Sequence, residues 1–214
     1  MSLHVWLAFF VASWLIALSP GPGAVLTMSH GLSYGVRQTS ATIAGLEIGL
    51  AFILLVAGAG IGALLIASAG AFMVVKLLGA AYLIWLGAKQ WRARTDSGDA
   101  AEGAPAEPEG LSLRQRVLRG ALTNATNPKG IVFMVAVLPQ FIDPARPLAA
   151  QLAILLATTI AVDVTVMHGY AWAAARFSAW MRSARARRAQ NRVFGGVLMG
   201  MGASLLLVGR IAKV

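Results

Sequence analysis

The sequence predicts an all-α integral membrane protein with six transmembrane helices. Of its 214 residues, 58% are hydrophobic and 12% are charged, whereas soluble domains carry roughly 25% charged residues. No Asp, Glu, Lys or Arg precedes Arg37, and none lies between Glu47 and Lys76. Both gaps exceed the ~20 apolar residues that cross a bilayer. Because hydrocarbon offers no partner for free backbone groups, and period-2 alternation is missing, we expect helices rather than barrel strands.

Six apolar segments follow one another along the chain, and each predicts one span. The second and third run together, but one helix over residues 41–86 would be about 69 Å long, more than twice the ~30 Å hydrocarbon core. We therefore expect a turn near Ser68 and Gly70. The first segment lacks a basic start and a clear cleavage site, so we interpret it as a retained helix. The approximate bounds are 5–28, 41–65, 69–88, 118–141, 148–171 and 193–208, the last barely long enough to span.

A polar stretch rich in Gly, Ala and Pro divides the chain into two halves. We interpret residues 96–112 as a flexible linker between repeat one, residues 1–95, and repeat two, residues 113–214, within a single transmembrane domain. Each half holds three predicted helices. An odd number of spans per half makes the two repeats inverted with respect to each other.

Basic residues outside the spans are distributed asymmetrically. The loops after the first, third and fifth helices contain thirteen Lys and Arg, six of them within residues 176–192, whereas the other side has Arg146, Arg210 and Lys213. This pattern predicts a bacterial cytoplasmic (inner) membrane protein with both termini outside. We expect the Arg-rich loop to attract anionic membrane lipid rather than nucleic acid.

Four charged residues lie at membrane depth: Glu47, Lys76, Lys129 and Asp163. A charge at the centre of a membrane helix costs at least ~2.5 kcal/mol, so each should be paired or face a polar cavity. We predict Asp163 as the first choice for proton coupling and Glu47 as the second, with Lys76 and Lys129 as charge partners. Structural ion pairs and snorkelling of the lysines are the alternatives.

Proline and glycine interrupt the first and fourth predicted helices. The interruptions are Ser19-Pro20-Gly21-Pro22-Gly23 and Asn127-Pro128-Lys129. Broken helices at corresponding positions of two halves indicate a transporter binding site, where free N–H groups suit a carboxylate and free carbonyls suit an ammonium group. Tyr170 shares a helical face with Asp163, so we add it and Glu47 to the predicted substrate-binding residues. Two simple proline kinks are the alternative.

Composition argues against several other functions. The chain has no cysteine and three scattered histidines, so we expect no metal site and no cofactor. No nucleophile–base pair is visible, so an intramembrane enzyme is a minor alternative. A non-transporting membrane scaffold is another. Small-residue pairs such as Gly45 and Gly49 predict close helix packing but serve a single chain and a homodimer equally.

Several motifs together resemble the LysE superfamily of amino-acid exporters, in its homoserine/threonine resistance branch. They are Ser19-Pro20-Gly21-Pro22, residues 79–87 (GAAYLIWLG), Asn127-Pro128-Lys129 and residues 158–163 (TTIAVD). The resemblance covers nearly the whole chain and is strongest to homoserine/homoserine lactone efflux proteins. It implies export of amino acids from the cytoplasm, coupled to the proton gradient, and does not fix the substrate. Our leading hypothesis is therefore a secondary active exporter of homoserine, homoserine lactone or threonine that works by proton antiport and alternating access.

Two residues depart from the pattern of that branch. Glu47 stands where a neutral polar residue is expected, and Gly23 stands where the family often has a polar residue. An additional carboxylate could favour a cationic substrate. The rival prediction is therefore an exporter of basic amino acids such as lysine or arginine.

Overall fold

The computed structural model describes residues 1–67, 69–93, 110–181 and 184–207, and every regular element in those ranges is helical. This confirms the predicted all-α class. Most of the predicted linker and Ser68 of the predicted turn lie outside the described residues. The elements are α1 (Leu3–Leu18), α2 (Pro22–Ala67), α3 (Ala69–Trp91), α4 (Leu113–Ala125), α5 (Pro128–Val132), a π-helical turn (Phe133–Val137), a 3₁₀ turn (Leu138–Phe141), α6 (Leu148–Met181) and α7 (Ala184–Leu207).

Both predicted helix breaks are present. α1 ends before Ser19, whose backbone is extended, and α2 begins at Pro22. α4 ends at Ala125, and α5 begins at Pro128 after the extended residue Asn127. Proline suits the first position of a helix because the N–H group that it lacks would have no partner there. The Asn127 side chain supplies the N-cap by accepting a hydrogen bond from the Lys129 backbone N–H at 3.1 Å.

Two of the predicted loops are largely helical in the structure, so those two predictions are wrong. The chain stays helical beyond Met28, and a single residue, Gly35, separates an N-terminal arm of α2 (residues 22–34) from a C-terminal arm (residues 36–67). The Arg-rich stretch is helical up to Met181 and again from Ala184, so the sixth segment begins well before residue 193. Alanine and arginine are both strong helix formers, which explains why charge alone did not end these helices.

Arg116 of α4 contacts both arms of α2 beside the Gly35 turn. Its Nη1 donates to the Gln38 backbone carbonyl at 2.9 Å and to the Gln38 side-chain oxygen at 3.1 Å. Its guanidinium also lies 5.2 Å from the centre of the Tyr34 ring. Gly35 itself has φ of 74° and ψ of 167°, a backbone conformation open essentially only to glycine. The turn is thus held from outside by a residue of the second half.

Glycines allow three close helix crossings. A Cβ atom on Gly45 would collide with the Val117 backbone of α4, and one on Gly31 would lie 2.8 Å from the Ala171 carbonyl oxygen of α6. A Cβ atom on Gly87 would lie 2.5 Å from the Gly195 carbonyl oxygen of α7. The C-terminal arm of α2 therefore packs on α4, its N-terminal arm packs on α6, and α3 packs on α7.

The interior is aromatic and aliphatic, while the outside is also apolar. Phe9 of α1 is fully buried and packs against Phe133 and Phe141, with ring centres 6.4 and 5.2 Å away. Large apolar side chains such as Leu78, which is 67% exposed, cover the outer surface. Such a surface suits lipid rather than water.

Two described helical stretches are long and apolar enough to cross a membrane, Pro22–Gly60 and Leu148–Arg176. Two shorter apolar helical stretches, Leu3–Leu18 and Pro128–Phe141, adjoin the helix breaks. Each is shorter than a bilayer span because a break has divided a longer apolar segment. The count of six spans stays a prediction.

Candidate functional site

The two helix breaks meet around one internal cavity. Its volume is about 50 Å³, which is room for roughly four water molecules. α1, α2, α4, α5, α6 and the π-helical turn all contribute to its wall. The lining residues are Ser13, Ile16, Ala17, Ser19, Gly21, Gly23, Ala24, Leu46, Leu50, Asn124, Asn127, Lys129, Gly130, Phe133, Met134, Thr159, Asp163 and Met167.

Two side chains from the second half cap the C-terminal end of α1. The Lys129 ammonium group donates to the Ile16 carbonyl at 3.1 Å and to the Ser19 carbonyl. The Tyr170 hydroxyl of α6 donates to the Leu18 carbonyl at 2.6 Å. The last carbonyls of a helix have no partner within it, so these donors satisfy groups that the break exposes.

Asparagine side chains position the second break. The Asn124 Nδ2 donates across to the Leu46 carbonyl of α2 at 2.9 Å, and the Asn127 Nδ2 donates to the Asn124 Oδ1 at 3.3 Å. Both asparagines are buried. This pair ties the break in α4 to the C-terminal arm of α2, one residue before Glu47.

The two carboxyl groups lie close enough to interact with each other. Asp163 lines the cavity and also interacts electrostatically with Lys129, while Glu47 sits beside the lining residue Leu46. Glu47 is buried, and neither of its carboxylate oxygens has a hydrogen-bond partner within the part of the chain that the structure describes. A buried carboxylate without such partners is costly, so it must gain from the nearby charge, from water or from a ligand.

Two buried hydroxyl groups on the cavity wall are also without a partner among the described residues. They belong to Ser13 and Ser19, each 1% exposed. Unsatisfied buried polar atoms are rare in folded proteins and call for water or a ligand. Together with Glu47, they make this cavity a polar site inside the helical bundle.

Most of the residues predicted from sequence lie at this site, but not all of them. Tyr170 is connected to the site by its hydrogen bond to the Leu18 carbonyl of α1, and Glu47 is connected to it by its interaction with Asp163. Pro20, Pro22 and Pro128 shape the breaks without lining the cavity, and Lys76 is buried in α3 away from its wall. Those on the wall are Ser19, Gly21, Gly23, Asn127, Lys129 and Asp163.

Sequence reasoning missed Ser13 and Asn124. Ser13 is the one hydroxyl between Leu3 and Leu18, which is a weak signal because single serines are common in membrane helices. Asn124 lies three residues before Asn127, on the same helical side, and that spacing is a signal that could have been read. Among the described residues, no group of three or more His, Cys, Asp or Glu side chains could hold a metal ion.

Comparison with known proteins gives consistent matches over nearly the full length. The LysE type translocator family matches residues 14–209. An uncharacterized membrane protein of Vibrio cholerae serotype O1 is 44% identical over 202 residues, which are 94% of this chain and 96% of the relative. The homoserine/homoserine lactone efflux protein of Salmonella typhi is 43% identical over 205 residues, covering 96% and 97%. The leucine efflux protein of Enterobacter sp. strain 638 is 33% identical over 158 residues, covering 74% and 72%. No solved structure matches this chain.

Proposed function

Because this chain belongs to the LysE type translocator family, we propose that it exports a small neutral amino acid of the homoserine class from the cytoplasm in exchange for protons. Membership of a translocator family rules against the alternative of an intramembrane enzyme. The homoserine/homoserine lactone efflux proteins, 43% identical over nearly their whole length, favour homoserine or its lactone as the substrate, and threonine is the further substrate that we propose from the sequence motifs.

The observation that carries this proposal is the polar cavity between the two helix breaks. The C-terminal end of α1 directs carbonyls into it, and the N-terminal end of α2, at Gly21 and Gly23, borders it as well. A helix carries negative partial charge at its C-terminal end and positive partial charge at its N-terminal end. An amino acid, with an ammonium and a carboxylate group, fits both ends at once.

The cavity must widen to accept and release such a substrate, because the space between the helix breaks measures only about 50 Å³ in this structure. A widening that faces one side of the membrane at a time is alternating access. The breaks are suited to it because the regular helices stop at Leu18 and Ala125 and begin again at Pro22 and Pro128.

For coupling, Asp163 is the first candidate and Glu47 the second. A carboxyl group can take up a proton on one side and release it on the other. Asp163 has the substrate cavity on one side and both Glu47 and Lys129 within electrostatic reach. Protonation there would change the charge that a substrate ammonium group meets, and this links the proton to the substrate.

The proposed architecture has six spans in two inverted repeats. Its support is the matched pattern of breaks and crossings: α6 packs on the first broken segment, and the C-terminal arm of α2 packs on the second. Thirteen basic residues in the polar stretches that follow spans one, three and five support an inner-membrane protein with both termini outside. The proposal includes a homodimer, since small-residue faces pack between chains as well as within one.

The test is release of labelled substrate from proteoliposomes, with and without an imposed pH gradient. We expect gradient-dependent release of homoserine or threonine. In the Asp163→Asn variant, which keeps the size of the side chain but not its proton chemistry, gradient-driven release should fall at least tenfold while membrane insertion stays normal. Gradient-driven release at the wild-type rate would remove Asp163 from the coupling role.

A second candidate function follows from Glu47. Its buried carboxylate, with no hydrogen-bond partner in the described chain, could hold a cationic side chain such as that of lysine or arginine. Labelled lysine and leucine therefore belong in the same assay, leucine because a leucine efflux protein is among the relatives. Release of lysine alone would favour the basic-amino-acid exporter. Unchanged behaviour after neutralising both Glu47 and Asp163 would favour a non-transporting membrane protein.

A further inference from the structure

The ammonium group of Lys129 occupies the part of the cavity where backbone carbonyls and a carboxyl group could bind a cation. It donates to the Ile16 carbonyl at 3.1 Å and to the Ser19 carbonyl, at the C-terminal end of a 16-residue helix. A Cβ atom on Gly21 would lie 3.2 Å from the Lys129 Nζ, so the lysine packs directly on the broken backbone. Asp163, on the same cavity wall, interacts with this ammonium group.

These groups are the ones that recognise the ammonium of an amino acid. The end of α1 supplies carbonyl oxygens and the negative end of the helix dipole. Asp163, which also lines the cavity, supplies a carboxylate. A substrate bound between the broken helices would seek the same carbonyls and the same carboxylate for its own amino group.

We propose that Lys129 competes with the substrate for the ammonium subsite, and that this competition selects amino acids whose side chains carry no charge. The inference rests on the proposed function and names the residue that sets its substrate class. A substrate binds by displacing the Lys129 ammonium group from the α1 carbonyls. Since Lys129 is tethered at α5, the displaced charge stays in the cavity.

Two consequences follow for transport. The apparent affinity for every substrate is the intrinsic affinity multiplied by the fraction of time that Lys129 leaves the subsite open. If the subsite is open a tenth of the time, the apparent affinity is tenfold weaker. A second cation on the substrate side chain would also meet the displaced ammonium group at close range and be repelled. The cavity then disfavours lysine and arginine in spite of the carboxyl groups of Asp163 on its wall and Glu47 nearby.

The competing explanation is that Lys129 binds the carboxylate of the substrate. Homoserine and homoserine lactone separate the two explanations, because the lactone keeps the ammonium group but has no free carboxylate. A residue that competes for the ammonium subsite affects both compounds equally. A residue that binds the carboxylate affects homoserine alone.

The experiment uses Lys129→Gln and Lys129→Met in the full-length protein reconstituted in proteoliposomes. The amide of glutamine can still donate to the Ile16 and Ser19 carbonyls without charge, so that variant keeps the α1 cap where methionine does not. Lys89→Gln, at an exposed position on α3 outside the cavity, is the matched control. Initial release rates of labelled homoserine and homoserine lactone are measured over a range of internal concentrations, with and without unlabelled internal lysine.

We expect Lys129→Met, whose side chain cannot bind the α1 carbonyls, to lower KM for both compounds by the same factor, about tenfold if the subsite is open a tenth of the time, and to make release sensitive to lysine. Lys129→Gln, whose uncharged amide can still bind those carbonyls, should lower KM by less and also make release sensitive to lysine. Lys89→Gln should behave as the wild type. A KM that rises for homoserine and stays constant for the lactone would overturn the proposal in favour of carboxylate binding. Unchanged KM values for both would overturn it too. If the wild-type protein releases neither compound, the proposed function falls, and this inference falls with it.

Discussion

Gly45 provides the sharpest test of how the bundle holds the site. It lies in the C-terminal arm of α2, where that arm crosses α4. A Cβ atom there would lie 2.8 Å from the Val117 carbonyl carbon, 2.9 Å from its Cα atom and closer still to its oxygen. Because the obstacle is backbone, no side-chain rotation can relieve the collision in a Gly45→Ala variant.

The expected cost follows from the displacement that alanine forces. Carbon atoms pack at about 3.5–4.0 Å, so α4 must retreat by about 1 Å. The hydrogen bond from Asn124 to the Leu46 carbonyl, now 2.9 Å long, would then exceed its working range. Overpacking costs about 1–3 kcal/mol and the lost hydrogen bond about 1 kcal/mol, against a gain of about 1 kcal/mol in helix propensity. The net loss is about 2 kcal/mol.

The assay is thermal unfolding of the purified protein in detergent, with Gly60→Ala as the control. Gly60 lies on the same arm and has no atom within 4 Å of its would-be Cβ. For a chain of this size, 2 kcal/mol lowers the melting temperature by roughly 4–8 °C. Gly60→Ala should leave the melting temperature unchanged or raise it slightly. Equal shifts in both variants, or none in Gly45→Ala, would refute the steric reasoning.

Two other substitutions test the first break and the turn in α2. Tyr170→Phe removes the 2.6 Å hydrogen bond to the Leu18 carbonyl. The maximal release rate should therefore fall several-fold, while the amount of protein inserted in the membrane stays unchanged. An unaltered release rate would show that this cap is dispensable. Gly35→Ala places a Cβ atom at φ 74° and ψ 167°, which costs about 1–3 kcal/mol although nothing crowds the position. A lower melting temperature is expected, and wild-type melting would mean that the turn relaxes freely.

The fold class and the helix breaks could be predicted because they depend on local chemistry. Long stretches without charge require membrane helices, and two prolines among glycines cannot continue a helix. The turn at Gly35 could not be predicted in the same way. Polar residues on both sides of it, among them Ser33, Arg37 and Gln38, indicate a longer loop, whereas the short turn is held in part by the Arg116 contact from another helix, which the sequence does not reveal.

The candidate site was predicted where charge or proline marks it and missed where only tertiary contact does. Lys129 and Asp163 stand out because a membrane charge is costly wherever it lies. Ser13 is different. Its hydroxyl lines the cavity because the Ser13 side of α1 faces inward, and the sequence of α1 does not reveal which side faces inward. Asn124 likewise gains its role from the Leu46 carbonyl, 78 residues away along the chain.

The one-residue connection at Gly35 also has a mechanical consequence. One residue supplies at most about 3.6 Å of slack, so the two arms of α2 can pivot about the turn but cannot slide along each other. Any movement of residues 36–67 along their axis must therefore also displace residues 22–34. The chain joins α1 to residues 22–34 through Ser19-Pro20-Gly21, while the hydrogen bonds from Lys129 and Tyr170 tie the end of α1 to the second half.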